Sequence, residues 1–370
     1  MIMKTILSIP VIVILLLIFS SGCMKNKVKS GKARIHELTY QTPGVDGKMI
    51  AASGILILPP SGDGPFPVVS CQHGTIFFRE VAPSYTDSCA EAQAWMTEMA
   101  VNGYVVVMAN YIGLGKSGTT PHPYFHAKTE ATAARDMIRA ARDYCKKQNI
   151  ELSEKLFLAG YSQGGHVTAS LQRLIEQDQA YEFKITASAI MAAPFDLEML
   201  WNHHVTKPNM ISSAVTSLMF KTYFDIYQFG DSFGQFLEKP YDTLIPKLLD
   251  YTYPENYVIA SFRDSPSAIF KPWFLKEIAE GKHPFALNLR KNEVYNWSPK
   301  FPTRLVFSMG DEVVPYTIEN KAFTRWIELG GNVDSVNLGQ KYNHGDGFLP
   351  ALHEAKKWFD SFMADHKKAN

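Results

Sequence analysis

Four cysteines in 370 residues are too few to hold a fold together by disulfides. They form no Cys-x-x-Cys pair, and no Cys/His set has the spacing of a zinc site. Charge of one sign is also lacking. The chain carries 37 Lys and Arg against 36 Asp and Glu, a net charge of +1, with no long basic run in its body. That balance excludes the electrostatic footprint of a nucleic-acid binder. Internal repeats and low-complexity tracts are absent from the body. What remains, at 46% hydrophobic and 20% charged residues, is the composition of a globular enzyme with a large core. The length suits one large domain with an insertion.

The longest apolar run lies at the N-terminus. A short basic start, Met1 to Lys4, precedes about 14 apolar residues at 6–19, which end in Ser20-Ser21-Gly22-Cys23. This run is short for a membrane span and suits the apolar region of a signal peptide. Small residues before a cysteine resemble a bacterial lipoprotein signal, which implies lipidation of Cys23; Ser20 departs from the usual aliphatic residue. An uncleaved N-terminal anchor is the alternative. Residues 1–23 are thus expected to be a leader and 24–33 a polar, basic tether. The resulting location is the membrane of a bacterial envelope, facing the periplasm. Cys71, Cys89 and Cys145 remain. Cys71 sits in an apolar run and reads as a buried thiol; pairing of Cys89 with Cys145 stays open.

The body alternates. Residues 34–42 and 48–58, with Gly44-Val45-Asp46-Gly47 between them, read as a β-hairpin. Strands follow at 67–71, 104–108, 156–159, 185–192, 303–307 and 333–338. Between them lie helices at 90–101, 129–147 and beyond residue 162, then one around Ala322 to Ile327 and one at 349–362. Such alternation means a mostly parallel sheet with helices on both faces, an α/β architecture. The pattern breaks at 197–300, which is rich in aromatics and has helical pieces near 210–224 and 246–251. That stretch reads as an inserted helical cap, with 34–196 and 301–370 as the core. Gly115-Lys116-Ser117 invites a phosphate-loop reading, but that motif needs a glycine where Asn110 stands. The loop reads instead as a glycine-rich turn beside the site.

The chemistry gathers around Gly160-Tyr161-Ser162-Gln163-Gly164-Gly165. A serine flanked by glycines two residues away on each side, after a strand and before a helix, is the context of a nucleophile turn. A serine hydroxyl needs an adjacent base, and the base needs an orienting acid. Asp311 and His344 each follow a predicted strand, so all three land at one edge of the sheet. Asp196 also follows a strand and is a rival acid. His166, His203 and His204 read as surface or cap residues. An oxyanion hole needs two backbone donors. The N–H groups of Gln163 and of Thr75, in His73-Gly74-Thr75, are the candidates. Tyr111 and Tyr161 are candidate substrate contacts.

These pieces resemble the α/β-hydrolase superfamily, and within it the secretory-lipase-like esterases. The resemblance covers His73-Gly74-Thr75, Tyr111-Ile112-Gly113-Leu114-Gly115, His122-Pro123-Tyr124, the Ser162 turn through His166, Trp297-Ser298-Pro299, Gly310 to Pro315 and His344-Gly345. It implies hydrolysis of a small-molecule or lipid carboxylic ester under a helical cap, with no metal and no cofactor. Relatives usually carry Asp where this chain has Asn110, which is expected to alter loop bonding. The rivals are a peptidase of the prolyl oligopeptidase branch and a catalytically silent binding lipoprotein.

Overall fold

The computed structural model describes residues 32–178, 182–262 and 265–363. The expected leader, Cys23 and the tether up to residue 31 lie outside the described residues.

The chain opens with β1 (Arg34–Pro43) and β2 (Met49–Leu58), paired antiparallel around the Gly44-to-Gly47 turn. Gly47 takes φ 79°, a left-handed turn conformation that suits glycine. There follow β3 (Phe66–Gln72), α1 (Ala90–Glu98), β4 (Val105–Ala109), α2 (Ala127–Lys147), β5 (Leu152–Tyr161), α3 (Gln163–Gln177) and β6 (Ile185–Met191). Seven helices come next: α4 (Leu197–Thr206), α5 (Ser212–Tyr227), α6 (Tyr241–Leu248), α7 (Glu255–Ser261), α8 (Pro266–Ile269), α9 (Pro272–Ala279) and α10 (Pro284–Lys291). The chain then returns through β7 (Thr303–Phe307), α11 (Tyr316–Glu328), β8 (Val333–Asn337) and α12 (His344–Met363).

The eight strands form one sheet in the order β1-β2-β4-β3-β5-β6-β7-β8. From β4 to β8 every neighbouring pair is parallel, while β2 joins β4 antiparallel. Strands buried on both faces read as continuous apolar runs, which is why β4 is Val-Val-Val-Met-Ala and wholly buried. One face packs against α1 and α12 through Trp95, Leu352 and Phe359. The other packs against α2 and α3 through Met137, Ile138, Val167 and Leu171. A third apolar cluster joins the helices of the insertion to the β6 and β7 end of the sheet, around Trp201, Phe220, Phe274 and Trp326. None of the helices among the described residues is long and apolar enough to cross a membrane.

The structure corrects several expectations. The predicted helical piece at 246–251 is instead α6, which ends at Leu248 and holds Pro246 inside. The last helix starts at His344, five residues early, so His344 is its first residue. Cys71, Cys89 and Cys145 are all free and buried. Cys89 and Cys145 cannot pair, because they belong to clusters on opposite faces of the sheet. His166 and His204 are fully buried.

Candidate active site

β5 delivers Ser162 on a tight turn. Its φ of 59° and ψ of −123° are a strained conformation for a residue with a side chain. The flanking glycines permit it. A Cβ on Gly160 would lie 2.2 Å from the Gly164 carbonyl oxygen, and one on Gly164 would lie 2.0 Å from that of Gln72. No side chain fits at either place, since both obstacles are backbone.

β7 and β8 deliver the partners to the same sheet edge. Asp311 uses Oδ1 to accept the N–H groups of Val313 at 2.9 Å and Val314 at 2.8 Å. Its Oδ2 is left for His344 Nδ1 at 2.7 Å. His344 Nε2 stands 2.9 Å from Ser162 Oγ. A carboxylate only accepts, so Nδ1 carries the ring proton and Nε2 faces the serine with its lone pair. The main chain of His344 is held at both ends. Its N–H donates to Glu312 Oε2 at 3.1 Å, and its carbonyl accepts from Tyr161 Oη at 2.6 Å.

The other candidate donors sit close by. Gly74 donates its N–H to both carboxyl oxygens of Glu91, at 2.9 and 3.2 Å. Burial pushes the Glu91 carboxyl up to about 7, against the pull of that N–H and of His344. The next N–H, of Thr75, and the N–H of Gln163 have no acceptor among the described residues. The Thr75 hydroxyl pairs with Tyr124 Oη at 2.8 Å. Behind the nucleophile, the Gln163 amide donates to Glu130 Oε1 at 2.7 Å and to His122 Nε2 at 3.2 Å. His122 can accept there because its Nδ1 donates to the Ile112 carbonyl at 2.7 Å.

A cavity of about 280 Å³ lies over Ser162. Thr75, Glu91, Tyr124, Tyr161, His204, Glu255 and His344 contribute its polar wall; Phe77, Leu200, Ile211 and Val215 are among its apolar residues. A larger surface cleft of about 590 Å³, bounded by Arg142, Glu154 and Glu182, contains none of the three residues.

Tyr161 lines the cavity, but Tyr111 does not. Tyr111 is fully buried, stacks on the His73 ring at 4.0 Å and donates its hydroxyl to the His73 carbonyl at 3.0 Å. It shapes the loop under Thr75. Asp196, the rival acid, caps α4 through Met199 N–H at 2.8 Å and pairs with Lys321, away from His344. Asn110 bonds Ser53 Oγ at 2.8 Å and Ser84 Oγ at 2.6 Å through its amide nitrogen. Its Oδ1 accepts Ser84 N–H at 2.9 Å, a set of bonds that needs a donor and an acceptor on one side chain. Sequence reasoning missed Glu91, Glu130 and Glu312. Their partners are set by chain crossings, so no local motif marks them. No group of three or more His, Cys, Asp or Glu able to hold a metal occurs among the described residues.

Comparison with known proteins agrees with this architecture. Residues 91–206 match the model of the prolyl oligopeptidase family, less than half of the chain. No curated protein matches. Among solved structures, a Legionella pneumophila protein assigned as a hydrolase is 27% identical with a TM-score of 0.84, over 90% of this chain and 91% of that one. The rice cell wall degrading esterase LipA of Xanthomonas oryzae is 29% identical with a TM-score of 0.78, over 89% and 90% of the two chains. Candida antarctica lipase A shares the fold at 18% identity, with a TM-score of 0.72 over 89% of this chain and 78% of that one. With its sheet order, its serine on a strand-to-helix turn and these hydrolase neighbours, the chain belongs to the α/β-hydrolase superfamily, as a serine hydrolase.

Proposed function

We propose that the protein is an exported carboxylic ester hydrolase acting through Ser162, His344 and Asp311. The observation that carries this is the unbroken chain of contacts from Asp311 Oδ2 through both ring nitrogens of His344 to Ser162 Oγ. In the reaction, Nε2 takes the serine proton as Oγ attacks the ester carbonyl. Asp311 keeps the proton on Nδ1 and stabilises the imidazolium that forms. The oxyanion forms where the Thr75 and Gln163 N–H groups are left to receive it; each such donor contributes on the order of 10²–10³ in rate. The imidazolium then protonates the departing alcohol, leaving an acyl-enzyme that water, activated by the same ring, releases as acid. Ser162→Ala should abolish hydrolysis of short p-nitrophenyl esters while far-UV circular dichroism stays unchanged. Full activity in that variant would end this reading.

The match to the prolyl oligopeptidase family favours a second reading, attack on amides by the same residues. The esterase and lipase neighbours span about nine-tenths of the chain and favour the first. Rates on paired acyl esters and aminoacyl amides separate them. As to location, residues 1–23 are proposed to direct export, with Cys23 lipidated and 24–33 as tether. Cys23→Ala should then shift the protein from the membrane to the soluble fraction.

A further inference from the structure

Several buried side-chain polar atoms lack a partner among the described residues, and one of them belongs to a residue in the wall of the cavity over Ser162: Nε2 of His204. The tautomer of this ring follows from its neighbours. Ser212 Oγ accepts the Asn209 N–H at 2.8 Å and directs its own proton to Asn209 Oδ1 at 3.0 Å. Asn209 Oδ1 also accepts the Ile211 N–H at 3.1 Å, so it is oriented as an acceptor. With its proton committed, Ser212 can only accept from His204 Nδ1, 2.8 Å away. Nδ1 therefore carries the ring proton and Nε2 a bare lone pair. Burial lowers the His204 pKa to about 3, so the ring stays neutral and does not become a donor near neutral pH.

Leu200, Ile211 and Val215, from the same part of the insertion, line the cavity with it. Of the residues that the insertion contributes to the cavity, His204 and Glu255 are polar and the others apolar, and only His204 has a buried side-chain atom without a partner among the described residues. A buried acceptor without a donor is unfavourable, and a ligand that supplies one gains by it. A plain hydrocarbon group could fill the wall but would leave Nε2 unpaired. A hydroxyl at the right depth satisfies both.

We propose that His204 is a specificity residue that accepts a hydrogen bond from a substrate hydroxyl, so that the esters this enzyme prefers are hydroxylated in the part lodged against the insertion. The inference rests on the esterase reading. It deepens that reading by naming a substrate class.

The test compares two ester pairs. One pair differs in the acyl group, p-nitrophenyl 3-hydroxybutanoate against p-nitrophenyl butanoate. The other differs in the alcohol, monobutyrylglycerol against propyl butanoate. The wild type should favour the hydroxylated member of at least one pair by about tenfold or more in kcat/KM. In His204→Phe that ratio should fall toward one. Ser212→Ala, outside the cavity wall, frees Nδ1 to lose its proton and should lower the ratio as well, which a purely steric role for His204 would not predict. A wild type that treats both pairs alike, or variants that lose activity equally on both members, would overturn the proposal. If the wild type hydrolyses none of the four esters, the esterase reading fails and this one falls with it.

Discussion

His344 can turn its lone pair on Ser162 only because Asp311 holds the proton on the opposite nitrogen. The same accounting applies one layer back. The Gln163 amide has two protons and two acceptors, Glu130 Oε1 and His122 Nε2. Glu130 Oε1 also accepts the Phe125 N–H at 3.0 Å. Glu130→Leu would strand both donors in the core, a cost of about 2–4 kcal/mol. Because Gln163 also offers the proposed oxyanion donor, kcat should fall by about tenfold with KM little changed, and urea unfolding should show the lost stability. Glu91 titrates differently. Its carboxyl is raised from 4.5 to about 7 in the fold, so between those values the folded state holds a proton that the unfolded chain has lost. Stability therefore falls as pH rises through that window. Glu91→Gln keeps an acceptor for Gly74 and should flatten the decline, as read by melting temperature at pH 4.5, 6 and 7.5. Ser162, Asp311 and His344 were legible because a motif and strand ends mark them. Tyr111 was misread because its place is decided by His73, a residue distant in the chain that stacks on it.

At the scale of elements, the turn from β5 into α3 shows how backbone crowding writes the motif. Gly164 faces the Gln72 carbonyl so closely that no rotamer relieves a methyl group there. Gly164→Ala should destabilise the fold by about 3 kcal/mol or more, visible as a lower urea midpoint. The hairpin, the buried strands and the amphipathic α2 could be read from the sequence because each has a strong period and a clear stop. The start of α12 could not. Asn343-His344-Gly345-Asp346-Gly347 contains two glycines, poor helix formers, yet the segment is helical from His344. Docking accounts for this: Tyr161 Oη and Glu312 bind the His344 main chain, and a Cβ on Gly347 would lie 2.8 Å from Tyr161 Oη.

For the whole molecule, the question is how the helices of residues 197–291 are fastened to the sheet. Their aromatic content was legible as an insertion, because the strand alternation stops there. Individual helix ends were not, since residues such as Phe220 and Phe274 pack on one another rather than with a single period. Asn292, where the chain leaves α10, is one fastening. Its Oδ1 accepts the Ala127 N–H at 3.0 Å, its Nδ2 donates to Tyr227 Oη at 2.8 Å, and its carbonyl accepts His166 Nε2 at 2.8 Å. Asp196 and Lys321 form a second, across α4 and α11. Asn292→Leu removes the side-chain bonds inside a buried site and should cost about 2 kcal/mol, lowering the melting temperature by a few degrees.

The central claim is that Ser162 is made nucleophilic by His344 across a 2.9 Å contact. Labelling with a fluorophosphonate, followed by peptide mass spectrometry, tests it directly. The account predicts stoichiometric phosphonylation of Ser162 in the wild type and a rate reduced by about 10³-fold or more in His344→Ala. Labelling elsewhere, or labelling of Ser162 at an equal rate in both proteins, would contradict it.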